Sequence, residues 1–487
     1  MATTVNLRKL LHRKSWEMCT PSLGPLSAQN TANGSFMVSD KLNIIPNSLA
    51  FFVNGASGIF RYDGDEDSWV QLPNSGIAGT FAAGACGEFR AMGAMGGVFT
   101  QTATGGTTTT IITNKTIVRN IVGRRIRVVD GSGRGYDGTI SSVQLGANSV
   151  ITVTTPSAVA FDATTQFQVF SGSLWFMNAG TTAVGFSVYD LATNSWTSRS
   201  VTNLPTAWGT DGQLVSTIGA ESIFATGTAT AGASTTLTNS AKSWGTNMWA
   251  NYQVRIISGT GAGQIRTIAS NTGTVLTLSS VWTVNPDATS VYNIEGNDDY
   301  FYLLGNNAVT MYRFQVSTNT WTVLSPTAAR AGAGGAGLSA NWINEVSGWN
   351  NEILVPLYST TLYRQNGRYL FSFRGGASNT LDVYDIAANT WISGVAYGNQ
   401  SETFTTGSSS FDYGGDIYIQ KEATGRIFVF ECDSFTMKSI AATPLAQGTT
   451  VTGQKMFMLP YTDGGTVIPF LYTQRHTGNE LFRMMLI

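Results

Sequence analysis

Histidine is almost missing from this chain: His12 and His476 are the only two in 487 residues. That count excludes a metal centre built from clustered histidines, and it leaves a Ser-His-Asp or Cys-His device only two starting points. Neither neighbourhood carries a nucleophile elbow or a similar local signature. Cysteine is scarce as well. Cys19, Cys86 and Cys432 are odd in number and far apart, so they propose neither a disulfide framework nor a zinc site and read as ordinary thiols. Charged residues make up 12% of the chain, about half the share in ordinary soluble domains. The balance of 28 basic against 29 acidic residues leaves a net charge of -1, so no global field draws in nucleic acid or an anionic membrane. No apolar run approaches the length of a membrane-spanning helix. Arg8, Lys9, Arg13 and Lys14 near the start are not followed by the apolar stretch and cleavage site of a secretory signal. The expectation is a protein without catalytic, metal-binding or cofactor-binding residues, not an enzyme, with no nucleic-acid partner and no membrane insertion.

What the chain does have is glycine, threonine, aromatic residues and repetition. A short apolar strand, a turn containing Asn or Asp, and a tryptophan strand recur together. The copies run Phe60-Arg61-Tyr62-Asp63 to Trp69, Phe186-Ser187-Val188-Tyr189-Asp190 to Trp196, Tyr312-Arg313-Phe314 to Trp321, and Leu381-Asp382-Val383-Tyr384-Asp385 to Trp391. A weaker copy runs Ile427-Phe428-Val429-Phe430 to Met437, with Phe435 near the aromatic position. Each is preceded by another aromatic strand, such as Leu174 to Met177 or Tyr369 to Phe373. Alternating apolar and polar positions give each strand a face to bury, and hairpins repeated in this way need neighbours. Stacking four-stranded sheets radially supplies them and leaves few open edges. Six such blades are counted, with a seventh left open should residues 326–366 hold a degenerate one. The apolar end Leu481 to Ile487 is expected to complete the last blade beside an N-terminal strand such as Ser35 to Val38.

Spacing between the tryptophans is uneven. Trp69, Trp196 and Trp321 stand much farther apart than Trp321 and Trp391, so roughly 60 to 70 residues have been inserted twice. The two insertions match each other. Arg125 to Gly135 aligns with Gln253 to Gly263, Thr139-Ile140 with Thr267-Ile268, and Asp162-Ala163-Thr164 with Asp287-Ala288-Thr289. Both are rich in threonine and β-branched residues with glycine turns, which predicts a small β-barrel or sandwich. The organisation expected is an N-terminal arm at 1–34, a discontinuous propeller at 35–101, 171–224 and 296–487, and inserted modules at 102–170 and 225–295. Both modules enter between the innermost strand of a blade and the hairpin that follows.

The glycine runs Gly131 to Gly135 and Gly259 to Gly263 resemble phosphate loops only superficially, because a β-branched strand, not a helix, follows each. The acidic string Asp63 to Asp67 lacks the later glycine and bidentate glutamate of a calcium loop and reads as a solvated hairpin turn. Asp298, Asp299, Asp382 and Asp385 are candidates for glycoside chemistry only in the sense that propellers assemble sites from distant loops. Tryptophans outside the blade pattern could anchor an interface: Trp342, Trp349 and Trp244, together with Arg134, are the candidate interface residues.

The recurrent Val-Tyr-Asp-x-x-x-Asn-x-Trp text, as at 188–196 and 383–391, resembles the kelch repeat, which implies a kelch-like β-propeller. Residues 254–278, followed by Trp282, Pro286-Asp287 and Tyr292, resemble a small β module of bacteriophage tail and other virion proteins. That second resemblance implies a structural component of the virion, at the tail, collar or neck, assembled in the host cytoplasm. Its partners would be other virion proteins in a symmetric homo-oligomer, with a host surface glycan or receptor as a further contact. The alternative is a secreted carbohydrate-binding propeller or a propeller glycan hydrolase or lyase.

Overall fold

A computed structural model describes the strands of the chain and most turns between them, from residue 16 to 486. Residues 1–15, 20–35, 40–48, 78–84, 92–97, 115–121, 206–212, 217–222, 331–335, 341–355, 398–401, 445–455 and 475–479, with some shorter loop stretches, lie outside the described part. The described residues form strands and turns and no α-helix.

Six four-stranded antiparallel sheets make up the propeller. From innermost to outermost strand, blade 1 is Phe36–Ser39, Leu49–Asn54, Gly58–Asp63 and Ser68–Gln71. Blade 2 is Cys86–Ala91, Gly172–Met177, Phe186–Asp190 and Ser195–Arg199, and blade 3 is Gln213–Ser216, Tyr300–Leu304, Met311–Gln315 and Thr320–Val323. Blade 4 is Ala336–Ala340, Tyr369–Phe373, Thr380–Asp385 and Thr390–Ala396, and blade 5 is Ser409–Tyr413, Asp416–Gln420, Arg426–Glu431 and Thr436–Ala442. Blade 6 is Met456–Asp463, Thr466–Gln474, Leu481–Met485 and Trp16–Met18. Innermost strands touch in chain order, and that of blade 6 touches that of blade 1, so the ring is closed with six blades. Among the described residues, 326–366 hold no seventh. They supply the innermost strand of blade 4 and a small hairpin of Pro356–Tyr358 against Leu362–Tyr363.

Closure uses a different N-terminal strand from the expected one. Phe36–Ser39 is the innermost strand of blade 1, whereas Trp16–Met18 pairs with Leu481–Met485, Trp16 opposite Met484. The expected arm at 1–34 therefore contains the outermost strand of blade 6. Only three residues pair, too short a run for periodicity to reveal. Buried Cys19 continues the strand, its amide donating to the Leu481 carbonyl at 2.9 Å, and Arg483 bonds Glu17 at 3.0 Å. Burial pushes the Cys19 thiol up to about 12, keeping it protonated against Tyr62.

Each sheet is apolar on both faces, so the core is six separate seams. Phe51, Phe89, Leu174 and Trp196 fill the seam between blades 1 and 2, and Trp175, Phe186, Phe301 and Trp321 the next. Tyr302, Leu370, Tyr384 and Trp391 join blades 3 and 4, and Phe371, Phe373, Phe428 and Phe430 join blades 4 and 5. Phe411, Met456, Met458 and Met484 lie between blades 5 and 6, and Phe60, Tyr62, Phe457 and Tyr472 close the circle. The tryptophan of an outermost strand reaches back to the preceding blade: Trp196 Nε1 donates to Pro73 O at 2.7 Å, and Trp321 Nε1 to Ser200 O at 2.9 Å.

The turn before each tryptophan follows from the same geometry. Asp67, Asn194, Asn319 and Asn389 all have left-handed backbone, with φ of 49°, 52°, 55° and 48°, a conformation that Asn and Asp tolerate better than other side chains. Tyr62, Tyr189 and Tyr384 donate their hydroxyls to the side-chain oxygens of Asp67, Asn194 and Asn389 at 2.7, 2.5 and 2.6 Å. In blade 3, where Phe314 replaces the tyrosine, Asn319 Oδ1 accepts the Ser200 amide at 3.2 Å instead. Blade 5 has Phe430 in the tyrosine position and Met437 in that of the tryptophan, so Phe435 stands where the other blades have Asn, at φ 53°. Asp67 thus serves a hairpin turn, the reading given to the acidic string.

Replacing Asn389 with Ala is expected to cost about 1–2 kcal/mol, from a lost hydrogen bond and a strained φ, and replacement with Gly clearly less. Chemical denaturation of both variants checks this, and an equal loss from Ala and Gly would contradict the role of φ. Deleting residues 1–19 removes the outermost strand of blade 6 and should lower the thermal midpoint by several degrees, measured by calorimetry.

Candidate functional site: the paired modules

Two modules project from neighbouring blades. Each enters between the innermost and second strands, the first from blade 2 and the second from blade 3. The first forms a curled sheet in the order Val98–Thr102, Gln166–Phe170, Arg125–Asp130, Asp137–Gln144, Ser149–Val153, Thr110–Thr113, Gly105–Gly106. The second has the same order: Ile223–Thr228, Val291–Glu295, Gln253–Ser258, Ile265–Asn271, Val275–Leu278, Thr236–Thr238, Ala231–Ala233. In both, the two end strands are consecutive in the chain, so the sheet bends round until its first and last strands meet as one bent segment. Strand irregularities match too, at Val128/Asp130 and Ile256/Ser258, and at Ile140/Ser142 and Ile268/Ser270. The sheets begin at Val98 and Ile223, a few residues ahead of the expected 102 and 225, because the entering strand is already part of the module.

A knot of hydroxyls and one carboxylate fixes the same turn in each copy. In the first, Ser132 Oγ donates to Asp162 Oδ2 at 2.5 Å and Thr164 Oγ1 to Asp162 Oδ1 at 2.6 Å, while Thr165 Oγ1 donates to the Ser132 carbonyl at 2.8 Å. In the second, Thr260 Oγ1 donates to Asp287 Oδ2 at 2.8 Å, Thr289 Oγ1 to Asp287 Oδ1 at 2.6 Å, and Ser290 Oγ to the Thr260 carbonyl at 2.6 Å. Gly131 and Gly259, at φ 73° and 77°, cross directly over this knot. A Cβ on either would lie 1.9 or 2.0 Å from the carbonyl of Thr164 or Thr289, so no other residue fits. Hydrogen bonds from Ser132 and Thr164 hold the Asp162 carboxyl below its ordinary range, and those from Thr289 and Thr260 do the same for Asp287. The glycine runs lead into strands Asp137–Gln144 and Ile265–Asn271, the hairpin geometry read from the sequence.

The modules differ inside. Phe161, Phe167 and Ile126 fill the first, and Trp244, Trp249, Trp282 and Tyr292 the second. Arg255 in the second forms a buried pair with Glu295 at 3.0 Å, whereas Arg127 at the equivalent place of the first is half exposed against Asp137. Both modules lean on the rim that carries the Asn turns: Arg124 bonds Asp190 of blade 2 at 2.5 Å, and Asn251 Nδ2 donates to the Ile386 carbonyl of blade 4 at 3.3 Å.

Of the candidate interface residues, Arg134 is exposed in the glycine turn of the first module, with Ala262 at its counterpart. Trp244 is a correction: at 4% exposure it belongs to the core of the second module, because the Asn239–Tyr252 segment folds its indoles inward. Trp342 and Trp349 lie outside the described residues, as do His12, His476 and Asp298. Asp382 and Asp385 are committed to structure, Asp382 bonding Arg330 and Arg374 at 2.8 Å and Asp385 bonding Arg368 at 2.8 Å. Burial would raise the Asp382 carboxyl, and the two guanidinium groups overcome it and hold it low. Asp299 caps a turn through Ser317.

Besides the exposed Asp162 and Asp287 of the knot, the modules share an uncharged surface. Val159 and Val284 occupy equivalent positions, 55% and 51% exposed, in loops that also expose Thr154 and Thr155 in the first module and Ser279, Ser280, Thr283 and Asn285 in the second. One-letter patterning hid this pair, because isolated valines signal nothing without the alignment of the two copies.

Because the Asp287 carboxyl lies below its ordinary 3.8, its contribution to the turn is complete above that value and is lost as pH falls through the lower folded-state value. Asp287→Ala is expected to speed amide exchange at Thr260 and Thr289, both held by this knot, with the propeller strands unchanged. Hydrogen-exchange mass spectrometry reads this out, and unchanged exchange would show that the carboxylate holds nothing.

No family model and no curated protein matches the chain. Among solved structures, it is similar to the fucose-specific lectin from Aleuria aurantia at 9% identity and TM-score 0.41, covering 95% of this chain and 94% of that one. It is also similar to AofleA from Arthrobotrys oligospora at 10% identity and TM-score 0.38, covering 98% and 87%. The structure of U3-55K is similar at 8% identity and TM-score 0.37, covering 97% and 98%.

Proposed function

We propose that the protein is a non-catalytic assembly scaffold, a rigid ring that presents two copies of one binding module side by side. The observation that carries this reading is the duplication itself: the same sheet order, the same Asp-centred knot and the same exposed valine, rooted at the same point of adjacent blades. Two like surfaces held one blade apart suit a partner that repeats, since tethering makes the second contact effectively intramolecular. A symmetric particle offers such repetition, and the likeness of the second module's text to virion modules supports a place in a phage tail, collar or neck, among other virion proteins. The low charge fits a subunit surrounded by neighbours.

A carbohydrate ligand is the second reading, favoured by the uncharged hydroxyl and amide groups of the exposed module loops, which suit a neutral polyhydroxylated partner. One pair of experiments separates the two. Phage particles released from a host carrying the gene are purified and labelled with gold-tagged antibody against this chain, and the intact chain is screened on a glycan array. Labelling at a fixed, symmetric position on the particle is the expected outcome. Unlabelled particles together with selective glycan binding would replace the first reading by the second, and failure of both would remove both.

A further inference from the structure

The seam between blades 5 and 6 differs from the others in chemistry. Its apolar part is methionine-rich, with Met456, Met458 and Met484 around Phe411, Ile427 and Leu471. At one end of that seam, polar side chains are buried without partners. Gln420 ends the second strand of blade 5 and Thr473 is next to last in the second strand of blade 6. Both are fully buried, and Gln420 Nε2, Gln420 Oε1 and Thr473 Oγ1 have no hydrogen-bond partner.

Strand alternation places them face to face. Tyr418 packs into the seam, so Gln420, two residues on, points the same way, while Ile417 and Ile419 point toward blade 4. On blade 6, Leu471 packs into the seam, so Thr473 does too, while Phe470 and Tyr472 point toward blade 1. Gln420 is paired across its sheet with Ile427 and Thr473 with Met456, and these two partners belong to the same apolar cluster. Leaving three polar atoms unpaired in so small a region would be costly, and native interiors satisfy such groups almost without exception. An amide offers a donor and an acceptor, and a hydroxyl offers both, with no charge. The complementary guest is small, neutral, and able to donate and accept. Methionine side chains yield more readily than branched or aromatic ones, so a small guest can be accommodated here at little cost.

We infer that this seam is an internal hydration site, in which ordered water bridges Gln420 of blade 5 to Thr473 of blade 6. At the rim of this interface Trp16 Nε1 of blade 6 donates to the Ala442 carbonyl of blade 5 at 2.6 Å, and its buried end is completed by solvent taken up as the ring closes. Water with two to four polar partners is held as firmly as a side chain and behaves as part of the structure.

The test is a double-mutant cycle with Gln420→Met and Thr473→Val, which keep shape and remove polarity, read by reversible denaturation. With bridging water, each single variant lowers the folded-to-unfolded ratio by about fivefold. The double variant then falls well short of the product of the two, because both remove the same bridge. Two variants that stabilise the protein, or effects that multiply independently, would overturn the inference. Should either variant fail to fold, a crystal structure of the intact chain showing water density within hydrogen-bonding distance of both side chains supports the inference. A dry seam there overturns it.

Discussion

Everything in this protein depends on the fact that a propeller blade has two apolar faces and can cover neither by itself. Phe301 and Tyr302 on one strand, or Leu370 and Phe371 on another, point at opposite neighbours, and each needs a sheet beyond it. Only a closed circle satisfies all six sheets at once, so the contact between the innermost strands of blades 6 and 1 matters as much as any other, and Trp16–Met18 completes the outer edge of the last sheet. Trp196 and Trp321 strengthen that circle because each couples its own blade to the chain leaving the previous one. Cooperative stability is the consequence, since opening one seam exposes two faces.

A closed ring also explains where variation is tolerated. The connection between the innermost and second strands lies on one rim, away from the seams, and blades 2, 3 and 4 all use it: two for complete modules and one for the hairpin at 356–363. The modules carry their own cores and their own turn knots. Among the described residues they meet the ring through polar contacts such as Arg124 with Asp190 and Asn251 with the Ile386 carbonyl. Such contacts fix direction while leaving the outer surfaces of the modules available.

Buried charge serves order in the same way. Asp382 holds two arginines and the Gly394 amide, and Arg255 is matched by Glu295, so each charge enters the interior already paired. Pairs of this kind add little net stability, yet breaking one partner is expensive, which makes them effective against misregistered strands.

The sequence by itself determined the blade. A tyrosine strand, a left-handed Asn and a tryptophan lie within nine residues, the tyrosine–Asn hydrogen bond and the hairpin pairing are local, and repetition turns a weak signal into a strong one. The inserted modules were legible for a similar reason, because two copies vouch for each other. Tertiary structure alone decided how the ring closes, which way Trp244 faces, and that Phe435 stands in the Asn position with Met437 in that of the indole. Those outcomes depend on partners hundreds of residues away or on the competition of side chains for one core, and no local pattern contains that information.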